Sequence, residues 1–211
     1  MTGTPNLVIV SDFVDYYDKA AQAVVNENSV VYNRVFANVP GKIEELRFMS
    51  NLGSKVVRVE PINRISPTIS NVVVYTNTKA HRGNGKTVMS LSEASLMYPN
   101  KLGTEYFLKS QCITYKILVI GKRRFKCVLR NSDYLIENEL LILEELQSGY
   151  NYRIPFPIYS IDYVQSNIGE MIVCDFNTVQ RLDYLGVERL MSAEEAINEI
   201  YQALLFFNKA I

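Results

Sequence analysis

Apolar residues along this chain of 211 residues fall into two rhythms, and the rhythms alternate. Short β-branched or alternating runs predict strands at Leu7 to Val10, "SVVYNRVF", "KVVRVEPI", "NVVVYT", "TEYFL", "ITYKILVIG", "RFKCVLR", "FPIYSIDYVQ" and "EMIVCDFN". Three-and-four spacing predicts helices elsewhere. "DFVDYYDKAAQAVV" has Asp12 as its cap, and "GKIEELRFMSNLG" lines up Ile43, Leu46 and Met49 before a stop at Gly53. "SLSEASLMYPN" is a short helix ended before Pro99. "YLIENELLILEELQSG" reads as a helix with Ile136, Leu140, Leu143 and Leu146 inward and Gly149 at its end. The last helix opens on a capping box, Ser192 with Glu195, and places Ile197, Ile200, Tyr201, Leu204 and Leu205 on one face. "NRISPTIS" is a linker, and the pattern changes near residue 108. The expectation is an α+β fold with two lobes: an N-terminal strand–helix–strand segment (1–39), a first lobe (40–108) and a strand-rich second lobe (109–211).

Charge narrows the function classes. Lysine and arginine number 22, as do aspartate and glutamate, so no broad positive field for nucleic acid exists and any basic function is local. No apolar run reaches the 18 or so residues of a spanning helix, so no membrane partner is expected. Cys112, Cys127 and Cys174 lie in apolar strand-like runs without metal spacing, which predicts buried thiols and a reducing, cytoplasmic setting. A single histidine, His81, excludes multi-histidine metal sites.

Two regions carry candidate chemistry. In "VVVYTNTKAHRGNGKTV" a β-branched run enters a basic, glycine-bearing loop, which either holds phosphate on its backbone amides or is an ordinary charged turn. The second region is the hairpin 158–177. With its turn on Asn167 and Ile168, Gln165 faces Glu170 and Asp162 lies opposite Val173. Alternation then puts Asp162, Asp175 and Asn177 on one face and Ile161, Tyr163, Ile172, Cys174 and Phe176 on the other. Diagonal neighbours stand roughly 7–8 Å apart, a span that lets oxygens bracket a hard cation. Two carboxylates on adjacent strands repel unless neutralised, and magnesium, which takes oxygen ligands and needs no histidine, is the natural candidate. A solvated polar face is the other reading.

The hairpin resembles the closing motif of the ATP-grasp superfamily, particularly small carboxylate–amine ligases similar to the ribosomal-protein glutamate ligases and their compact phage and bacterial relatives. That motif is an aspartate, a carboxylate, then asparagine. Here Asp162, Asp175 and Asn177 are spaced thirteen and two apart, with aspartate in place of the family's glutamate. The resemblance runs over residues 40 to 208. It implies that Lys42, leading "GKIEELRFMSNLG", meets nucleotide phosphates. "HRGNGK" stands at the glycine-loop position, with Gly83 and Gly85 in the loop and His81, Arg82 and Lys86 beside it. "TEYFL" resembles the hinge around adenine, which gives Glu105, Phe107 and Leu108 that place. Gly121 follows Glu105 by sixteen residues as in the family, Lys116 stands where the family has arginine, and Arg130 matches the arginine that meets phosphate or the acyl group. Departures are Thr76 at the second phosphate lysine, for which Lys79 substitutes, and the lack of a clear Arg-x-Asn segment between Arg130 and Asp162.

What the resemblance implies is an ATP-grasp-like fold with the nucleotide cleft between two lobes. Its cofactors would be ATP and Mg2+, and its reaction the joining of a carboxylate to an amine through an acylphosphate. Substrates would be small molecules, peptides or proteins. Arg130 and Lys116 would be the catalytic residues, with Asp162, Asp175 and Asn177 on the metal. His81 is either a loop-borne proton carrier or a surface or capping residue. "GKRRFK" either grips an anionic acceptor or is a solvated hairpin. Thr76, and a stretch between Arg130 and Asp162 that is shorter than in fuller relatives, motivate the alternative of a non-catalytic binding protein on the same fold.

Overall fold

A computed structural model describes residues 6–8, 29–31, 41–78, 85–107, 112–130, 139–154, 156–166, 168–177 and 190–209. The expected helix at Asp12, most of the glycine loop (Lys79, His81, Arg82, Gly83) and Leu108 lie outside these residues. The chain divides into two compact units. One comprises Met1–Asn38, Tyr115–Ile161 and Asn177–Ile211; the other comprises Val39–Thr114 and Asp162–Phe176. Most of the acidic hairpin, Asp162–Phe176, therefore clusters with Val39–Thr114 rather than with the segment that immediately precedes it.

In the first unit, β1 (Asn6–Val8) pairs in parallel with β2 (Ser29–Val31). Strands β7 (Cys112–Ile120) and β8 (Arg123–Arg130) form an antiparallel hairpin closed by Gly121 and Lys122. The run predicted as a helix over "YLIENELLILEELQSG" is instead strand β9 (Glu139–Leu146), antiparallel to β8 from Arg130↔Glu139 to Arg124↔Leu146. Its leucines fit both periods, as short apolar runs do. Cross-strand charge decides for the strand. Arg123 donates from Nε and Nη2 to both Glu145 oxygens at 2.8 and 2.9 Å, and Lys126 Nζ lies 3.4 Å from Glu144. A bulge at Lys126/Cys127 absorbs one residue, so strict alternation fails there.

The final helix, α3 in chain order (Ala193–Lys209), opens on the expected capping box: Glu195 N donates to Ser192 Oγ at 3.2 Å and Ser192 N to Glu195 Oε2 at 2.7 Å. Its buried face is Ala196, Ile200, Ala203, Leu204 and Phe207, while Ile197 is exposed. The inward stripe is thus one position earlier at its start than predicted, because alanines let the helix sit close. Glu199 on this helix leaves no room at Gly121, whose φ is +61° and whose added Cβ would stand 2.6 Å from the Glu199 carbonyl oxygen. Gly121→Ala therefore combines left-handed strain with a backbone clash, and a loss of about 2–4 kcal/mol is expected in chemical denaturation. A variant of wild-type stability would mean that α3 does not pack there.

The second unit begins with helix α1 (Lys42–Asn51), capped by Gly41 and stopped by Gly53 at φ +88°. A four-stranded sheet follows, in the order β3 (Glu60–Pro61), β6 (Leu102–Glu105), β4 (Asn71–Tyr75), β5 (Lys86–Ser90). Of the predicted strand "KVVRVEPI", only Glu60–Pro61 joins that sheet. Val56 instead bridges Val173 in parallel, with Val57 N donating to Val173 O and Val173 N to Lys55 O. Helix α2 (Leu91–Met97) carries a second capping box, Ser90 with Glu93, and covers a core of Ile62, Ile65, Val72, Val74 and Ala94. Strands β10 (Ile158–Ser166) and β11 (Met171–Asn177) complete a five-stranded sheet of order β11-β10-β7-β8-β9.

Candidate functional site

Three separate pieces of the second unit meet at Asp175. Glycine 41 leaves the start of α1 open, so Lys42 takes the first helical position, and its amide donates to the Thr78 carbonyl at 2.9 Å. That bond ties the helix to the near end of the glycine loop. The loop's far end is fixed by Gly85 at φ +67°, whose carbonyl accepts from the amides of Thr76 and Asn77 at 2.9 and 3.2 Å. Thr76, at the position of the missing lysine, thus spends its amide on closing the loop. Tyr75 and Lys86 then face each other as the first rung of the β4–β5 ladder.

From these positions two ammonium groups reach one carboxylate. Lys42 Nζ binds Asp175 Oδ1, and Lys86 Nζ lies 3.9 Å from Oδ2. Lys42 is only 7% exposed, and its helix face carries a second ionisable group, Glu45, exposed to the same small degree. Burial, then the Asp175 charge, push the Glu45 carboxyl up to about 9, against the pull of Lys42 and Lys86. Glu45 is therefore neutral at physiological pH. Burial and Asp175 likewise raise the Tyr75 hydroxyl, so it too stays protonated. Phe48 stacks on Phe176 with ring centroids 5.4 Å apart, which seats α1 on β11 beside the charged group. Sequence reasoning missed Glu45. The signal was present, since a stripe of positions 42, 45, 46 and 49 is as helical as the apolar one.

The hairpin closes one residue away from the expected register. Gly169 N donates to Ser166 O and Ser166 N to Glu170 O, both at 2.9 Å, and Gly169 has φ +84°. This is a three-residue loop with a glycine bulge. Ser166, not Gln165, faces Glu170, and further down the strands the Cys174 thiol donates to the Asp162 carbonyl at 3.4 Å. Burial, then the Asp162 and Asp175 charges, raise the Cys174 thiol to about 12 against the pull of Lys42 and Lys86, so it stays neutral. Asn177 ends β11, two positions beyond Asp175. Among the described residues no group of three or more His, Cys, Asp or Glu gathers as metal ligands.

Of the other predicted residues, Lys116 is buried on β7 and donates to Ser160 Oγ on β10 at 3.1 Å. Glu105 ends β6 opposite Val72 and is exposed, and Phe107 is half-buried. Arg130 pairs with Glu139 through its backbone, and its side chain lies outside the described residues. Most side chains of the basic run "GKRRFK" find partners within the chain, although the buried Arg124 Nε has no hydrogen-bond partner. Lys122 pairs with Glu199, Arg123 with Glu145 and Lys126 with Glu144, and Arg124 donates to the Gly149 carbonyl.

No protein-family model matches the chain, and no curated protein matches it in sequence. Solved structures match in shape. The D-cycloserine synthetase DcsG superposes with a TM-score of 0.58 at 10% identity, over 94% of this chain and 82% of that one. The ATP-grasp ligase PsnB, complexed with minimal precursor, Mg and ADP, gives 0.55 at 12% identity, over 92% and 77%. The D-alanine–D-alanine ligase from Bacillus anthracis, complexed with ATP, gives 0.52 at 10% identity, over 81% and 67%. At such identities the likeness is one of fold. With two antiparallel-rich sheets and the helices that flank them, this chain has the ATP-grasp fold.

Proposed function

We propose that the chain binds ATP with magnesium and uses it to join a carboxylate to an amine. One observation carries this reading: on an ATP-grasp fold, Lys42 and Lys86 converge from α1 and from the glycine-loop strand on the acidic hairpin. The acid beside these ammoniums, Glu45, is neutral, so it does not offset the charge they would offer to phosphate. Oxygen donors on the hairpin suit magnesium, and Asp175 already collects cations from two elements. Asp162, Asp175 and Asn177 would hold the ion. Bound there, it would neutralise phosphate charge as a Lewis acid.

In this scheme Lys42, Lys86 and Lys116 orient the triphosphate while backbone amides of the loop around Gly83 and Gly85 cover its end, helped by Lys79, His81 and Arg82. Glu105, Phe107 and Leu108 would border the adenine. A substrate carboxylate oxygen attacks the γ-phosphorus and ADP leaves. The amine then attacks the acylphosphate carbon, phosphate departs, and the amine loses a proton to give the amide. Arg130 would steady the acylphosphate. The acceptor is a small molecule or a peptide; the neighbour PsnB is complexed with a minimal precursor. The test is ADP release from Mg-ATP across a panel of amino acids and peptides. Acceptor-dependent release supports a ligase. Thermal stabilisation by ATP without release favours a non-catalytic binding protein, a reading that Thr76 at the lysine position supports. No response to ATP of either kind refutes both.

A further inference from the structure

We infer that one flank of α1, together with residues 56–59, is a docking edge for an extended acidic peptide; this goes beyond the ATP-binding reading and does not depend on it. The segment after α1 adds a short rung beyond β11, the end strand of its sheet: Val57 N donates to the Val173 carbonyl, and Val173 N donates to the Lys55 carbonyl. Successive residues of an extended chain turn their backbone groups to opposite sides. With Lys55 and Val57 turned to β11, the amides and carbonyls of Val56 and Arg58 point away from it, and no described residue pairs with them. Unpaired donors and acceptors along an edge are a template for one more strand.

The same residues line an open groove of about 260 Å³. Its remaining lining is Ile43, Leu46, Arg47 and Ser50, a stripe at helical spacing on the flank of α1 next to the one that carries Lys42 and Glu45. Charge selects the occupant. Both ionisable groups in the lining are guanidiniums, and no carboxylate lines it. Arg58 is shared with Glu60 at 2.9 Å, but Arg47 is exposed and forms no ion pair among the described residues. A second copy of this chain would set these arginines against their own counterparts, which is how a charged edge resists pairing with itself. A carboxylate would instead meet Arg47 with two parallel hydrogen bonds. Strand addition satisfies all three features at once: main-chain bonds to Val56 and Arg58, alternate apolar side chains in the groove, and acid toward Arg47.

The probe is a capped hexapeptide that alternates valine and glutamate, titrated into the full chain by calorimetry, with hydrogen exchange to locate it. Binding is expected, with slowed exchange at the Val56 and Arg58 amides. N-methylation of alternate peptide amides, which removes the main-chain donors, is expected to weaken binding about tenfold, as is Arg47→Glu at its exposed helix position. A valine–lysine peptide is expected to bind Arg47→Glu better than wild type. Should Arg47→Glu fail to fold, Arg47→Gln, which removes the charge alone, carries the comparison. No binding, equal affinity for the methylated peptide, or protection elsewhere in the chain would overturn the inference. So would a dimer whose formation protects Val56 and Arg58, since the edge would then belong to a second copy.

Discussion

Replacing Asp175 by alanine is expected to cost about 3 kcal/mol of folding stability and to abolish magnesium-dependent ADP release. The stability loss arises because Lys42 is left buried without the carboxylate it binds, and a lone buried ammonium is far costlier than the pair. Two neighbours soften the loss. Lys86 is more exposed and can turn to water. Glu45, freed of the Asp175 charge that helps keep it protonated, ionises more readily and takes over part of the neutralisation. The expected value therefore sits at the low end of the range for breaking a buried pair. Asp175→Asn separates charge from shape: it keeps the side chain's volume but gives up the anion, so it should lose ADP release as fully. Urea denaturation and an ADP assay on the two variants make the check. An alanine variant as stable as wild type would refute the buried pair, and one that still releases ADP with magnesium would remove Asp175 from the proposed metal site.

How much of this was legible beforehand depended on whether local chemistry or partners set the answer. Helix α1, its stop at Gly53 and the Ser192–Glu195 box follow from residues within four positions of one another, and they stand as expected. The acidic hairpin was legible as an element, since its alternating strands flank a turn that contains glycine. Its register was not. Whether Gly169 takes a left-handed conformation decides which residues face each other, and sequence leaves a two-residue and a three-residue turn both open. Strand β9 was misread for a similar reason: "ELLILEEL" suits a helix until Arg123 and Lys126 present their charges across a ladder. The convergence on Asp175 was half visible. Lys42 and Asp175, 133 positions apart, came from the family resemblance, whereas Glu45 is defined by burial, which only the folded chain reveals.

Glu45→Gln is expected to stabilise the protein at alkaline pH and to leave it little changed at pH 5. The sign follows from the protons. An unfolded Glu45 loses its proton near 4.5, whereas the folded one, desolvated and facing Asp175 and Glu44, keeps it to about 9 despite Lys42 and Lys86. Between those values the folded state binds more protons than the unfolded state, so stability falls as pH rises, by up to about 1.4 kcal/mol per pH unit. The contribution is complete below 4.5, is progressively lost on the way to 9, and is flat beyond. Glutamine keeps the shape and the polarity of the protonated acid but does not titrate, so the difference between variant and wild type should grow from about 1 kcal/mol or less at pH 5 to several kcal/mol near pH 9. Denaturation curves at pH 5, 7 and 9 give that difference directly, and a constant gap would show that Glu45 titrates where an exposed carboxylate does. The same proton bears on the proposed ligand. Once Glu45 ionises, it adds a negative charge beside the two ammoniums that would meet phosphate. Wild-type affinity for Mg-ATP should therefore decline as pH approaches 9, and Glu45→Gln should hold it level.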